Sequence, residues 1–322
     1  MSIRASVTTE SDFIASLRAL ATHPAARGLM DDAAVLEIAG TNLVLTHDMI
    51  VESVHFLADD PPDDVAWKLV AVNLSDLAAK GAQPLGVLLG FSLAGEGKWD
   101  GAFIEGLRQA LDAFNVALLG GDTVSVPQSA PRSLGLTAIG TAARAPSREG
   151  ASSGEQLWIS GSIGDAGAGL RILGGEDGPA DLIKRYRRPR PRLELGLALA
   201  PLVGAMMDVS DGLLIDASRM AEASGVSIEI DLGTIPLSSA FLKMLGEERQ
   251  ARLFAATAGD DYELLFTAAK ERAPELLALS ERLGVPLNPI GRCREGTGLA
   301  LLDGGKAVPL PDRLGYEHRT PA

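Results

Sequence analysis

The sequence predicts an α/β (α+β) protein of two domains, and three observations predict it. The chain has 322 residues, 46% hydrophobic and 22% charged, a length and balance suited to two globular domains. Stretches with the apolar period of strands alternate with stretches of helical period along the whole chain. A small, polar, Pro- and Gly-bearing tract, AARAPSREGASSGEQ (142–156), separates two such series. The boundary is placed within it, giving domains 1–146 and 147–322.

Thr9, Ser11 and Asp12 open a helix whose Phe13, Ile14, Leu17, Leu20 and Ala21 follow helical spacing. AAVLEI (33–38) and NLVLTHD (42–48) read as strands joined across Ala39, Gly40 and Thr41. A helix over 63–80 begins at Asp63 and Asp64 and stops at Gly81; Asn73 and Asp76, three apart, share one of its faces. Strand 85–93, helix 99–114 and strands 115–119 and 134–141 complete the first domain.

In the second domain QLWISG (156–161) is a strand, followed by a Gly-punctuated helix. AMMDVSDGLL (205–214) runs from strand into a helix that ends near Gly225. VSIEIDL (226–232) and YELLFTA (262–268) alternate as strands do, with helices near 237–247 and 271–283, and LALLDGGKAVPL (299–310) reads as a hairpin.

Composition excludes several classes. The N-terminus MSIRASVTTESD carries no apolar stretch behind a basic start, and no apolar run is long enough for a membrane span. The single cysteine, Cys293, allows neither a disulfide framework nor a cysteine-rich zinc site, which suits a reducing cytoplasm. A net charge of −13 argues against sequence-independent nucleic-acid binding. It also means that a phosphorylated ligand is held only where metal ions or local basic groups reverse the field.

The aspartates carry the chemistry. Asp48 closes LVLTHD, Asp122 closes VALLGGD, and Asp208 and Asp211 bracket the end of AMMDVSD, while Asp31 and Asp32 precede a strand. Ligand sites of α/β proteins lie at such strand ends. Turn and cap roles explain any one of these aspartates alone. If Asp31, Asp48, Asp76, Asp122 and Asp208 share a cleft, each close pair repels by ~4 kcal/mol at an effective dielectric of about 20, so the set requires cations. Hard oxygens without His or Cys clusters select Mg²⁺ or Mn²⁺ over zinc.

Gly120 and Gly121 allow backbone to approach a ligand, and Ser210, Asp211 and Gly212 stand at a helix start that favours an anion. GSIGDAGAG (161–169) follows a strand but misses the GxGxxG spacing of a dinucleotide site. KRYRRPRPR (184–192) reads as an interdomain loop paired with surplus acids, against the alternative of a phosphate grip.

Together MDDAAVL (30–36), LTHDMIVESVHF (45–56), AVNLSDLAAKGAQP (71–84), LLGGDT (118–123), DVSDGL (208–213) and AGDDYELLF (258–266) resemble, in the same order, the thiamine-monophosphate kinase family. Its wider superfamily is that of aminoimidazole ribonucleotide synthetase and selenophosphate synthetase. The resemblance spans roughly residues 10–317. It implies a first domain that pairs with its copy in a homodimer to complete a β-barrel, a second α+β domain, and an ATP and magnesium site between them. By matching motif positions it implies Asp31, Asp48, Asp76, Asp122 and Asp208 as magnesium ligands, with Thr46 and the His47 backbone beside them and Asp211 on a further metal. Asp48, Asp76, Asp122 and Asp208 would be the catalytic carboxylates. Gly121, Asp122, Arg148 and Ser210 would touch ATP, and His55, Asp261, Glu263 and Tyr316 would face thiamine monophosphate.

This chain departs from the family pattern at Met30, His47, Asp260 and Arg319. It has no reactive cysteine in a glycine-rich N-terminal loop and none at its end, so neither selenophosphate synthetase nor the hydrogenase-maturation relatives fit. The implied activity is phosphorylation of thiamine monophosphate by ATP, the last step to thiamine diphosphate. The acceptor oxygen sits on a phosphate whose second pKa is about 6, so no strong general base is required. Two other readings stay open at this point: an ATP-dependent synthetase of the same superfamily, and a metal-binding dimer without turnover.

Overall fold

The structure, a computed structural model, describes residues 10–318; Thr9 and Arg319 lie outside them. The first domain contains α1 (Glu10–Arg18), β1 (Ala34–Ile38), β2 (Thr41–Val51), α2 (Pro62–Ala79), β3 (Gln83–Leu93), α3 (Gly97–Phe114), β4 (Ala117–Ser125) and β5 (Ser133–Ala142). Its mixed sheet has the order β1-β2-β5-β3-β4, with only the β3–β4 pair parallel. α2 and α3 cover one face. β4 is an edge strand, and every residue of it is exposed in the single chain.

The second domain contains β6 (Gln156–Ser160), α4 (Asp165–Leu173), α5 (Ala180–Arg187), α6 (Leu193–Leu199), β7 (Met206–Val209), α7 (Leu213–Ser224) and β8 (Ser227–Asp231). It continues with α8 (Ser239–Leu245), α9 (Arg249–Thr257), β9 (Glu263–Ala268), α10 (Ala273–Leu283), β10 (Leu287–Arg294), β11 (Gly298–Asp303) and β12 (Lys306–Val308). These strands form one mixed sheet of order β12-β11-β8-β10-β6-β9-β7. β7, at its edge, adjoins the first domain.

α2 joins the two domains. Fourteen of its eighteen residues are buried, so it is apolar nearly all round, as a helix packed on every side must be. Leu69, Val70 and Leu77 face the first core, whereas Ala78 and Ala79 pack with Trp158, Leu199 and Phe266 of the second domain.

Arg187 and Arg188 of the basic run 184–192 tie the two domains together, while Arg192 pairs within the second domain. The first part of the run completes α5, Arg187 pairs with Asp60, Arg188 with Asp63 and Asp64, and Arg192 with Glu263. The glycines of 161–169 serve packing: a Cβ on Gly169 would lie 2.1 Å from the Leu182 carbonyl oxygen, so α5 reaches α4 only because that position has no side chain. No helix among the described residues is long and apolar enough to cross a membrane.

Candidate active site

Strand alternation on β2 turns Thr46, Asp48 and Ile50 toward α2 and His47 and Met49 away from it. α2 answers with Asn73 and Asp76 on one face. The Asn73 carboxamide oxygen accepts the Asp48 backbone N–H at 2.9 Å, and the Thr46 hydroxyl donates to Asp76. Ser75, next along the helix, points to the second domain and donates to Asp208 of β7 at 2.6 Å. Carboxylate oxygens of Asp32, Asp76 and Asp208 thereby lie within 4.8 Å of one another.

The charges strain against this packing. Burial pushes the Asp76 carboxyl well above its ordinary range, with Asp48, Asp208 and Asp32 adding to the rise. Burial and then Asp32 push Asp208 up to about 8, against the Ser75 hydrogen bond, which favours the ionised form. Asp48 is raised by burial and by Asp32 and Asp211, with His47 acting in the opposite direction. Burial raises Asp32 too, but Arg148 and Lys80 outweigh it and the net direction is down. Asp32 Oδ2 lies 2.8 Å from Lys80 Nζ, its ion-pair partner.

This set fits a divalent cation. The donors are hard, buried oxygens from three separate chain segments, and two have a proton affinity that a cation would offset.

The structure gathers only part of the predicted set. Asp32, not Asp31, joins Asp76 and Asp208, since Asp31 is turned to Arg27 and Lys80. Sequence reasoning missed this because both aspartates precede the same strand, and only the turn geometry decides which one faces α2. Asp211 is held by Arg219 at 2.6 Å. The backbone N–H groups of Ser210, Asp211 and Gly212 all donate to Asp216 Oδ2, so that helix start caps itself and is not an open anion site. Arg148 pairs with Asp32.

Asp122 stands apart. The register runs Asp48–Leu136–Leu89–Gly121 across β2, β5, β3 and β4, and Met49–Gly135–Gly90–Asp122 beside it. Asp122 therefore shares the outer face with Met49 and His47, opposite Asp48, and lies three strands or about 14 Å across the sheet. His47 on that face bonds Thr137 at 2.9 Å. Gly121 has a packing reason of its own, because a Cβ there would lie 1.9 Å from the Leu89 carbonyl oxygen.

A cavity of 690 Å³, within the size range of small-molecule sites, is lined by Asp48, whose charge acts on Asp76. Both domains line it: Asp48 and His55 from the first, Ser210, Asp211, Asp260 and Tyr316 from the second. His55 Nδ1 accepts the Val51 N–H at 3.1 Å, and burial and the nearby His318 lower its pKa. Asp260, with φ of 68°, is placed on the cavity wall by Lys68 at 3.0 Å and by the Tyr262 hydroxyl at 3.0 Å. Asp261 and Glu263 do not line this cavity. Asp261 accepts the Gly164 N–H, and Glu263 is buried between Ser160 and Arg192. Asp260, Asp261 and Glu263 together line a smaller neighbouring pocket.

Comparison with known proteins adds to this geometry. Residues 30–142 match the family described as AIR synthase related protein, N-terminal domain, and residues 152–304 match AIR synthase related protein, C-terminal domain. The chain is 40% identical over 322 residues to thiamine-monophosphate kinase of Caulobacter vibrioides, covering 96% of this chain and 91% of that one. A solved structure described as AaThiL complexed with AMPPCP and TMP superposes with a TM-score of 0.85 at 30% identity, covering 99% of both chains. The crystal structure of thiamine-monophosphate kinase from Stenotrophomonas maltophilia K279a gives a TM-score of 0.77 at 38% identity, over 92% of this chain and 96% of that one.

Proposed function

Because this chain belongs to the AIR synthase related family and, within it, to the thiamine-monophosphate kinases, we propose that it transfers the γ-phosphate of ATP to thiamine monophosphate, giving thiamine diphosphate and ADP. The observation that carries this reading is the meeting of carboxylates from both domains, one of which, Asp76, feels the charge of Asp48 on the wall of a cavity that both domains line. The likeness to a protein described with AMPPCP and TMP supports the choice of nucleotide and acceptor.

In this reading Asp32, Asp48, Asp76 and Asp208, with Thr46, would hold magnesium. When bound, magnesium would neutralise phosphate oxygens of donor and acceptor. The chain's own part is to orient and to exclude water. Asn73 fixes the Asp48 backbone, Ser75 holds Asp208, and Asp260, His55 and Tyr316 form the wall offered to the acceptor. Direct in-line attack by an already ionised phosphate oxygen needs no strong base.

We place the division between domains at 146/147, and the protein in the cytoplasm, where its lone buried Cys293 stays reduced. We also propose a homodimer closed through a β-barrel of the two first-domain sheets. The unpaired edge β4 and exposed Met49, Leu88, Leu118 and Leu119 support it, since an open apolar edge of this kind is normally covered. In that dimer Asp122 and Gly121 would serve the site of the other subunit.

The test is incubation with ATP, Mg²⁺ and thiamine monophosphate, with products separated by chromatography. Thiamine diphosphate is expected. ATP binding with no transfer to this acceptor rejects the assignment and favours a synthetase or a binding protein.

A further inference from the structure

Lys80 follows the last turn of α2 and is wholly buried. Its ammonium lies 2.5 Å from Asp31 Oδ1 and 2.8 Å from Asp32 Oδ2, and it donates to the carbonyl oxygens of Pro146 at 3.0 Å and Met206 at 3.1 Å. One cation thus ties together the segment before β1, the interdomain linker and β7. Arg27 takes the second oxygen of Asp31 and Arg148 the first oxygen of Asp32. Lys80 alone among the described residues bridges the two acids. Nothing in the phosphoryl-transfer reading uses it.

We propose that Lys80 is a built-in counter-cation of the carboxylate cluster: it neutralises the Asp31–Asp32 corner when no divalent ion is bound, and it competes with that ion for Asp32. The proposal rests on the cluster being a divalent site. Lys80 is a positioning residue, because it reaches the site only through Asp32.

Four aspartates, Asp31, Asp32, Asp76 and Asp208, occupy one buried region, and a buried carboxylate group without a cation is costly. A fixed ammonium lets the two domains close on each other before metal arrives. The same charge, less than 3 Å from a ligand oxygen, repels an incoming divalent ion. Apo stability and metal affinity are therefore traded at a single side chain. A purely structural lysine would lack this second effect, since its loss would loosen the site and weaken metal binding.

The experiment compares the parent chain with Lys80→Met, which keeps the length and removes the charge. Mn²⁺ binding is followed by electron paramagnetic resonance, and thermal unfolding is measured with and without Mg²⁺. The variant is expected to melt lower than the parent without metal and to gain more from Mg²⁺. Its Mn²⁺ dissociation constant should be smaller by about fivefold or more. If Lys80→Met does not fold, Asp31→Asn is compared with Asp31→Asn/Lys80→Met, and the same tightening is expected. Equal or weaker Mn²⁺ binding on loss of the lysine overturns the proposal and leaves the metal site standing. A parent chain that binds no Mn²⁺ overturns both.

Discussion

Ser75 of α2 and Asp208 of β7, one from each domain, are joined by a 2.6 Å hydrogen bond in a region closed to solvent. Closing the domains and shaping the carboxylate cluster are consequently one event. Ser75→Ala leaves a buried carboxylate oxygen without its donor, at a cost of about 1–3 kcal/mol. The expected outcome is a lower melting temperature together with a higher Mg²⁺ concentration for half-maximal turnover. Denaturation and a Mg²⁺ titration of the rate check both.

Stability should depend on pH in a defined sense. Asp208, at about 8, and Asp216, at about 6, both bind protons more tightly when folded than their ordinary 3.8 allows, because burial disfavours the charged form. A raised folded-state pKa gives stability that is full below the unfolded value and lost as pH rises through the folded one. His55, lowered by burial from 6.5, acts oppositely, but only below that value. Between pH 6.5 and 8.5 the metal-free protein should thus lose melting temperature, and Mg²⁺ should restore it most at the alkaline end. A metal-free melting temperature that rises across this window contradicts the assignment.

Asp260 and Glu263 separate pocket from scaffold. Asp260→Ala removes a group from the cavity wall, and a raised KM for thiamine monophosphate with an unchanged KM for ATP is expected. Glu263→Gln leaves Arg192 without its buried partner and should cost about 3 kcal/mol of stability. Its effect on the KM for thiamine monophosphate should be small. Steady-state kinetics and urea unfolding of the two variants distinguish these roles.

Asp122 lies on the outer face of its own sheet, and in the proposed homodimer it would serve the site of the other copy. Asp48→Asn and Asp122→Asn homodimers should each be inactive. Mixed and allowed to exchange subunits, they should recover roughly a quarter of parental activity, because a heterodimer then holds one site free of both lesions. Mixtures that stay inactive after verified exchange would place both residues in one subunit's site.

Much of this was legible in the chain itself, and the failures have physical causes. The α2 stripe, the β1–β2 hairpin at Ala39 and Gly40 and the Gly225 stop of α7 follow local rules and stand within a few residues of their expected places. Asn73 and Asp76 do share a face toward β2. The helices α6 and α9 are too short for a clear helical period, and Pro289 and Gly291 break the alternation of β10, so a single sequence does not disclose them. That Asp32 rather than Asp31 lies beside Asp76 and Asp208, and that Asp260 rather than Asp261 lines the larger cavity, depends on where turns point, as the positive φ of Asp260 illustrates. The outward facing of Asp122 follows from strand register, which a single sequence does not disclose.

The proposed divalent site draws its ligands from both domains. Crystals grown with Mn²⁺ and a non-hydrolysable ATP analogue, measured for anomalous scattering, test it most directly. An anomalous peak about 2.0–2.3 Å from oxygens of Asp32, Asp76 and Asp208 is the predicted result. Bound nucleotide whose metal touches none of these three carboxylates would contradict it.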